Sequence, residues 1–221
     1  MSVAASADDG LRQRLESLWA ELPEGSRLLA VSKGQPADRI RRAVALGQWS
    51  FGESRLQEAV AKQAELGDLE PLDWHFIGRL QANKVRGVLR HFGTIHSLDS
   101  LELVERVQRI AREEGLSPAV FLQVKLRPDP GKTGFEPAEL ERLRPVFSSL
   151  APLRLEGLMA IAPLDLPPGE RPVLFRECAA LAGRLGLKEL SMGMSGDWRE
   201  AAAAGSTWVR IGSALFGARA L

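Results

Sequence analysis

The sequence predicts a single (β/α)8 barrel, and three observations predict it. Short apolar runs alternate with amphipathic stretches eight times along the chain. No long linker or block of like charge divides it. Its 221 residues hold one such barrel, which needs roughly 200 residues or more. Alternation of this kind forces parallel pairing through βαβ crossovers, and eight units close most economically as a barrel. The alternative is an open doubly wound sheet, an α/β fold that normally carries a glycine-rich fingerprint after its first strand. AVSKGQP at 30–36 is not one.

The elements follow in order. Residues 1–10 read as a flexible tail ahead of a single domain over 11–221. A helix is expected over 11–22, where Leu11, Leu15, Leu18 and Leu22 recur at helical spacing. RLLAVSKG (27–34) is the first strand, and PADRIRRAVALG (36–47) is a helix with Pro36 at its start and Gly47 at its end. WSFGE, LDWHFIG, TIHSLDS and PAVFLQVKL are strands two to five. Between them lie RLQEAVAKQAELG, QANKVRGVLRHFG and LELVERVQRIAREEG, read as helices. A turn-rich stretch, RPDPGKTGF, precedes the helix PAELERLRPVFSSL. LRLEGLMAI is the sixth strand, ERPVLFRECAALAGRLG a helix, KELSMGM the seventh strand and DWREAAAAG a short helix. TWVRIGSALF (207–216) is the eighth strand, with no helix after it. The helix over 11–22 must bury its apolar face somewhere, and the gap after the eighth strand is the expected place.

Composition excludes several classes. The formal charge of +1 argues against a polybasic nucleic-acid or membrane-surface protein. The N-terminus carries acids and lacks the apolar core of a signal peptide. No apolar run approaches the ~18 residues of a membrane span. Cys178 is the sole cysteine, so an internal disulfide is excluded, and its apolar helical setting makes it a buried structural thiol. A cytoplasmic protein is expected. GKT at 131–133 is no phosphate loop, because Leu126 stands where that motif needs glycine. His75, His91 and His96 have no metal-ligand spacing.

In such barrels the active face lies at the C-terminal ends of the strands. Lys33 ends the first strand, where a lysine either reaches solvent or projects into the mouth of the barrel. A lysine partly desolvated there has a lowered pKa, and its neutral amine can attack an aldehyde to give an imine. Anion-binding equipment is expected after strands seven and eight. Ser195-Gly196-Asp197 turns the chain into a helix whose free N–H groups favour an anion. Ser195 adds a hydroxyl, and Gly196 permits close backbone approach. Plain N-capping by Ser195 or Asp197 is the alternative. Gly212 and Ser213 could offer further N–H groups. Arg210 shares a strand face with Gly212, where an inward arginine is costly unless something pairs with it.

Seven segments, AVSKGQP, FGESRLQEA, WHFIGRLQANK, HSLD, GLMAI-P, ELSMGMSGDW and VRIGSALFG, resemble the pyridoxal phosphate homeostasis proteins (the YggS/PROSC family) over residues 27–219. The resemblance implies a barrel similar to the N-terminal domain of alanine racemase. It implies pyridoxal 5′-phosphate (PLP) carried as a Schiff base on Lys33, with Ser195 as a phosphate ligand. Gly212 and Ser213 would give backbone contacts to that phosphate, and Arg210 would face the pyridine nitrogen. His75 and Met159, at the ends of the third and sixth strands, complete the expected cofactor-binding set. Ser54 stands where the family usually has asparagine, which puts any hydrogen bond from that amide in question. Arginine only donates, so a ring nitrogen facing Arg210 stays unprotonated and the ring is a poor electron sink. The racemase also needs a tyrosine from a second domain, and this sequence holds none. His75 could take that role but is expected to orient the site. The expected function is therefore carriage of PLP in vitamin B6 homeostasis and amino- and keto-acid balance. The expected protein is a monomer without robust catalysis that serves PLP-dependent apoenzymes. The rivals are a racemase-like PLP enzyme and a Schiff-base aldolase without PLP.

Overall fold

The computed structural model describes residues 2–129 and 131–217. Eight parallel strands close a barrel in sequence order: β1 (Arg27–Val31), β2 (Ser50–Glu53), β3 (Asp73–Phe76), β4 (Thr94–Leu98), β5 (Ala119–Val124), β6 (Arg154–Ala160), β7 (Glu189–Ser191) and β8 (Trp208–Ile211), with β8 pairing back onto β1. The helices are α1 (Ser2–Glu21), α2 (Ala37–Ala45), α3 (Leu56–Glu65), α4 (Val85–His91), α5 (Leu101–Glu114), α6 (Pro137–Phe147), α7 (Arg171–Leu185), α8 (Trp198–Ala203) and α9 (Ser213–Phe216). Local signals fix several ends. Ser100 accepts a hydrogen bond from the Leu103 N–H at the start of α5, and Gly115 closes that helix in the left-handed region.

Most of the core lies between the strands and the surrounding helices. Leu28, Ala30, Phe51 and Phe76 point outward onto helical partners such as Ile40 and Val88. A smaller cluster fills the barrel itself: Leu29, Phe121, Met159 and Trp208. This division follows from strand alternation, since successive side chains leave opposite faces.

Two expectations are corrected. The run TWVRIGSALF is not strand throughout: β8 ends at Ile211, and Ser213–Phe216 is a helical turn, α9. A helix thus does follow the eighth strand, although it is one turn long. The helix expected over 11–22 also begins earlier. Helix α1 begins at Ser2, because the alanines of SVAASADDG extend a helix already secured by its leucines. Leu11, Leu15 and Leu18 are buried, and α1 packs against α9 and α2. It occupies the expected gap in the outer ring.

Candidate functional site

Lys33 follows β1 on the rim, one residue beyond buried Ser32. It is exposed, so the desolvation expected of it is not found in this structure. What holds it is the backbone on either side. Lys62 on α3 donates to the Ser32 carbonyl at 2.8 Å, to Glu53 Oε1 at 2.7 Å and to Glu58 Oε1 at 2.6 Å. Glu58 in turn accepts the Gly34 N–H, and Ser32 Oγ donates to Glu53 Oε1 at 2.7 Å. Burial pushes the Glu53 carboxyl up, and Lys62 and Ser32 offset this only in part. At Glu58 burial is outweighed by Lys62 and the Gly34 N–H, which hold its carboxyl below the ordinary value. Sequence reasoning missed this clamp. Its signal was a lysine on the same face of α3 as Ala59, the face turned to the sheet.

The loops after β7 and β8 meet. Ser195 Oγ accepts the Ala214 N–H at 3.2 Å, which joins the turn before α8 to the first residues of α9. Asp197 Oδ1 accepts the Met194 N–H at 2.6 Å and tightens that turn. Gly193 starts it at φ +84°, and a Cβ there would lie 2.6 Å from Ala201 Cβ. Gly196 and Ser213 are exposed, while Ser195 and Gly212 are half-buried. The register Leu29↔Arg210, Ala30↔Ile211 sets Gly212 beside Val31, two residues before Lys33. The lysine rim and the two-loop cradle therefore adjoin. Ser54 lies half-buried just past β2. Gly78 packs so closely that a Cβ on it would meet the Ser54 carbonyl oxygen at 2.3 Å.

Arg210 lies beneath, 4% exposed. Nη1 donates to the Ser191 carbonyl and, at 2.7 Å, to Ser191 Oγ; Nη2 donates to the Ala160 carbonyl at 2.9 Å. Among the described residues no carboxylate forms an ion pair with it. Burial lowers its pKa to about 10, against the upward pull of Asp197 and Cys178. It remains a cation, and a donor, at neutral pH. The barrel interior thus answers the question of what pairs with an inward arginine: carbonyls and a serine.

Two expected site residues stand elsewhere. His75 is not at the mouth. Its Nε2 meets Asp73 Oδ2 at 2.7 Å, and Asp73 begins β3, so the ring leans to the N-terminal end of the barrel. Alternation along a strand tells inward from outward but not how high in the barrel a side chain reaches. His75 Nδ1 lies 2.8 Å from His96 Nε2, and His96 Nδ1 lies 2.7 Å from Ser191 Oγ. Met159 is enclosed in the interior cluster, 1% exposed, and forms filling rather than an open contact surface.

The closed barrel falls in a particular class, that of the alanine racemase N-terminal domain. The family model of that description matches residues 8–220. A pyridoxal phosphate homeostasis protein of Synechocystis sp. is 45% identical over 206 residues, which cover 90% of this chain and 94% of the relative. The structure of PipY of Synechococcus elongatus with PLP bound superposes with a TM-score of 0.90 at 50% identity, over 94% of this chain and all of that one. An alanine racemase of Clostridium difficile shares the fold at TM-score 0.76 and 15% identity, with 95% of this chain matching 57% of the racemase. The chain belongs to the pyridoxal phosphate homeostasis protein family.

Proposed function

We propose that this chain binds PLP as a Schiff base on Lys33, as a carrier of the cofactor in vitamin B6 homeostasis that passes it to PLP-dependent apoenzymes. One observation carries the reading. The rim that bears Lys33 and the cradle joined by Ser195 and Ala214 adjoin across β1 and β8, above a buried arginine. The donor set fits the group at each of its ends. Lys33 offers the amine, Ser195, Gly212 and Ser213 offer hydroxyls and backbone N–H groups for a phosphate, and Arg210 offers only donors to a pyridine nitrogen. Bound PLP supplies an aldehyde that condenses reversibly with an amine. The protein orients and retains it; each charge-assisted hydrogen bond to the phosphate contributes roughly 1.5–3 kcal/mol.

A donor-only arginine leaves the ring nitrogen unprotonated, which suits storage better than carbanion chemistry. The sequence also offers no tyrosine for the second face of a racemase site. The chain acts as a monomer in the cytoplasm. Among the described residues few large apolar side chains are exposed, and no helix is long and apolar enough to cross a membrane.

Borohydride reduction of protein incubated with PLP, followed by peptide mass spectrometry, tests the assignment. The pyridoxyl adduct is expected on Lys33 and absent from Lys33→Ala. An adduct on another lysine sinks it. Reduction with a sugar phosphate but never with PLP would favour the aldolase, and turnover in an amino-acid racemisation screen would favour the enzyme.

A further inference from the structure

The barrel interior holds a polar file that the cofactor site does not by itself require. Arg210 Nη1, Ser191, His96, His75 and Asp73 follow one another at 2.7, 2.7, 2.8 and 2.7 Å. The three middle members are at most 1% exposed. Asp73 opens to solvent at the N-terminal end, beside a pit of about 210 Å³ whose walls include Arg27, Thr94 and Glu189. The file thus crosses the barrel from the face opposite Lys33 to the arginine beneath the cradle.

We propose that Asp73, His75, His96 and Ser191 are positioning residues for Arg210, forming one directed file of hydrogen bonds that holds the guanidinium from the far end of the barrel. For its effect on the cofactor this rests on the reading of Arg210 as the ring-nitrogen partner. Direction comes from the two ends. Guanidinium can only donate and a carboxylate can only accept. Arg210 donates to one lone pair of Ser191 Oγ, and in this file the serine hydroxyl gives its own hydrogen to His96 Nδ1. His96 must then carry its proton on Nε2 and donate to His75 Nδ1. His75 in turn carries its proton on Nε2 and donates to Asp73. In this file each ring carries its proton on Nε2 and accepts on Nδ1, so the two imidazoles share one tautomer.

The walls enforce this. The His96 ring stacks on Phe121 with centroids 4.4 Å apart, and the His75 ring meets the Trp208 ring edge-on at 4.7 Å. Neither ring has another polar partner within reach among the described residues. Arg27, over the Trp208 ring and paired with Glu189, places a further positive charge near His96 and Asp73. Burial is the main cause that holds His96 well below its ordinary pKa, and the positive charges of Arg210 and Arg27 add to it. At Asp73 burial is outweighed by His75, Ser50 and Arg27, and the carboxyl stays below its ordinary value. The acceptor end is thus an anion at neutral pH.

The test reads the histidine side-chain nitrogens by NMR in 15N-labelled protein without cofactor, with exposed His91 as the reference. Wild type should show His75 and His96 neutral, with the proton on Nε2. Asp73 is half exposed, so its replacement is borne at the surface. Asp73→Lys puts a donor at the acceptor end and should move the proton to Nδ1 in both rings, including His96, which Asp73 does not touch. Asp73→Asn, which can donate or accept, should give both tautomers. On loading with PLP, Asp73→Lys should also shift the cofactor absorbance maximum from that of wild type. An imidazolium at either ring in wild type at neutral pH, or a His96 that keeps its Nε2 proton in both variants, overturns the proposal. The nitrogen measurement uses no cofactor, so its failure leaves the Lys33 assignment standing. A missing pyridoxyl adduct with responsive tautomers would instead remove the cofactor reading and leave the file.

Discussion

Ser195 and Arg210 show how single side chains set the site's preference. Arg210 keeps its charge in an interior where charge is costly, because two carbonyls and Ser191 Oγ receive its donors. It can therefore meet a ring nitrogen only as a donor. Ser195 stands at the opposite end of the candidate cofactor site and bridges two loops with one oxygen. Its hydroxyl hydrogen is available to an anion while its lone pair holds the Ala214 N–H. Ser195→Ala should weaken PLP binding by about 10- to 100-fold, which corresponds to one hydrogen bond to a charged group at roughly 1.5–3 kcal/mol. Equilibrium titration of the cofactor band measures it, and an affinity within twofold of wild type would show that the serine only ties the loops together. The positions of Lys33, Ser195 and Arg210 were legible in the sequence because each lies at or near a strand end, where topology narrows what can face the mouth. His96 and Ser191 were not. They meet across residues 95 apart, and only closure of the barrel brings them together.

At the scale of elements, the βα alternation was readable because each unit carries its own signals: apolar strand, polar turn, amphipathic helix. The end of β8 was not, since a short apolar run such as IGSALF has no period that separates strand from a helical turn. The α3 clamp was hidden for a different reason. Lys62 and Glu58 stand four apart, a spacing that equally suits a solvated pair, whereas the sheet turns them inward to Ser32 and Glu53. The clamp makes a prediction with a sign. Glu53 has its folded pKa above the ordinary carboxyl value, so its contribution favours folding below that value and is lost as pH rises through the folded pKa. Lys62→Met removes the main influence opposing burial and leaves a buried carboxylate unpaired. Urea unfolding at neutral pH should show a loss of about 3–5 kcal/mol, narrowing as the pH falls toward the ordinary carboxyl range. Lys62→Met with Glu53→Gln should recover most of it, because the amide oxygen can still accept from Ser32. A deficit independent of pH, or no recovery in the double variant, would mean that Lys62 acts through packing of its stem rather than its charge.

Across the whole molecule the two ends of the barrel do different work, and α1 connects the stability of the shell to the cofactor end. The helix buries Leu11, Leu15 and Leu18 in the outer ring, and Arg14 Nε donates to the Leu215 carbonyl in α9. Helix α9 carries the Ala214 N–H that Ser195 Oγ accepts, with the Ser213 N–H beside it. A segment 201 residues before Leu215 in sequence therefore supports half of the cradle. Leu15 is fully buried, and Leu15→Ala should cost about 2–5 kcal/mol in stability. Deleting residues 1–22 removes three such leucines, at roughly 1.5–3 kcal/mol of burial each, and approaches the whole stability of a domain of about 5–15 kcal/mol. The informative variant is milder. Arg14→Ala removes the hydrogen bond to α9 while leaving the leucines in place, so it should lower PLP affinity more than it lowers the melting temperature. Cofactor titration and thermal unfolding of the same sample distinguish the cases. Affinity that falls only in step with stability across Arg14→Ala and Leu15→Ala would make α1 a lid on the core and nothing more. A selective loss of affinity in Arg14→Ala would show that the outer ring helps to shape the anion cradle.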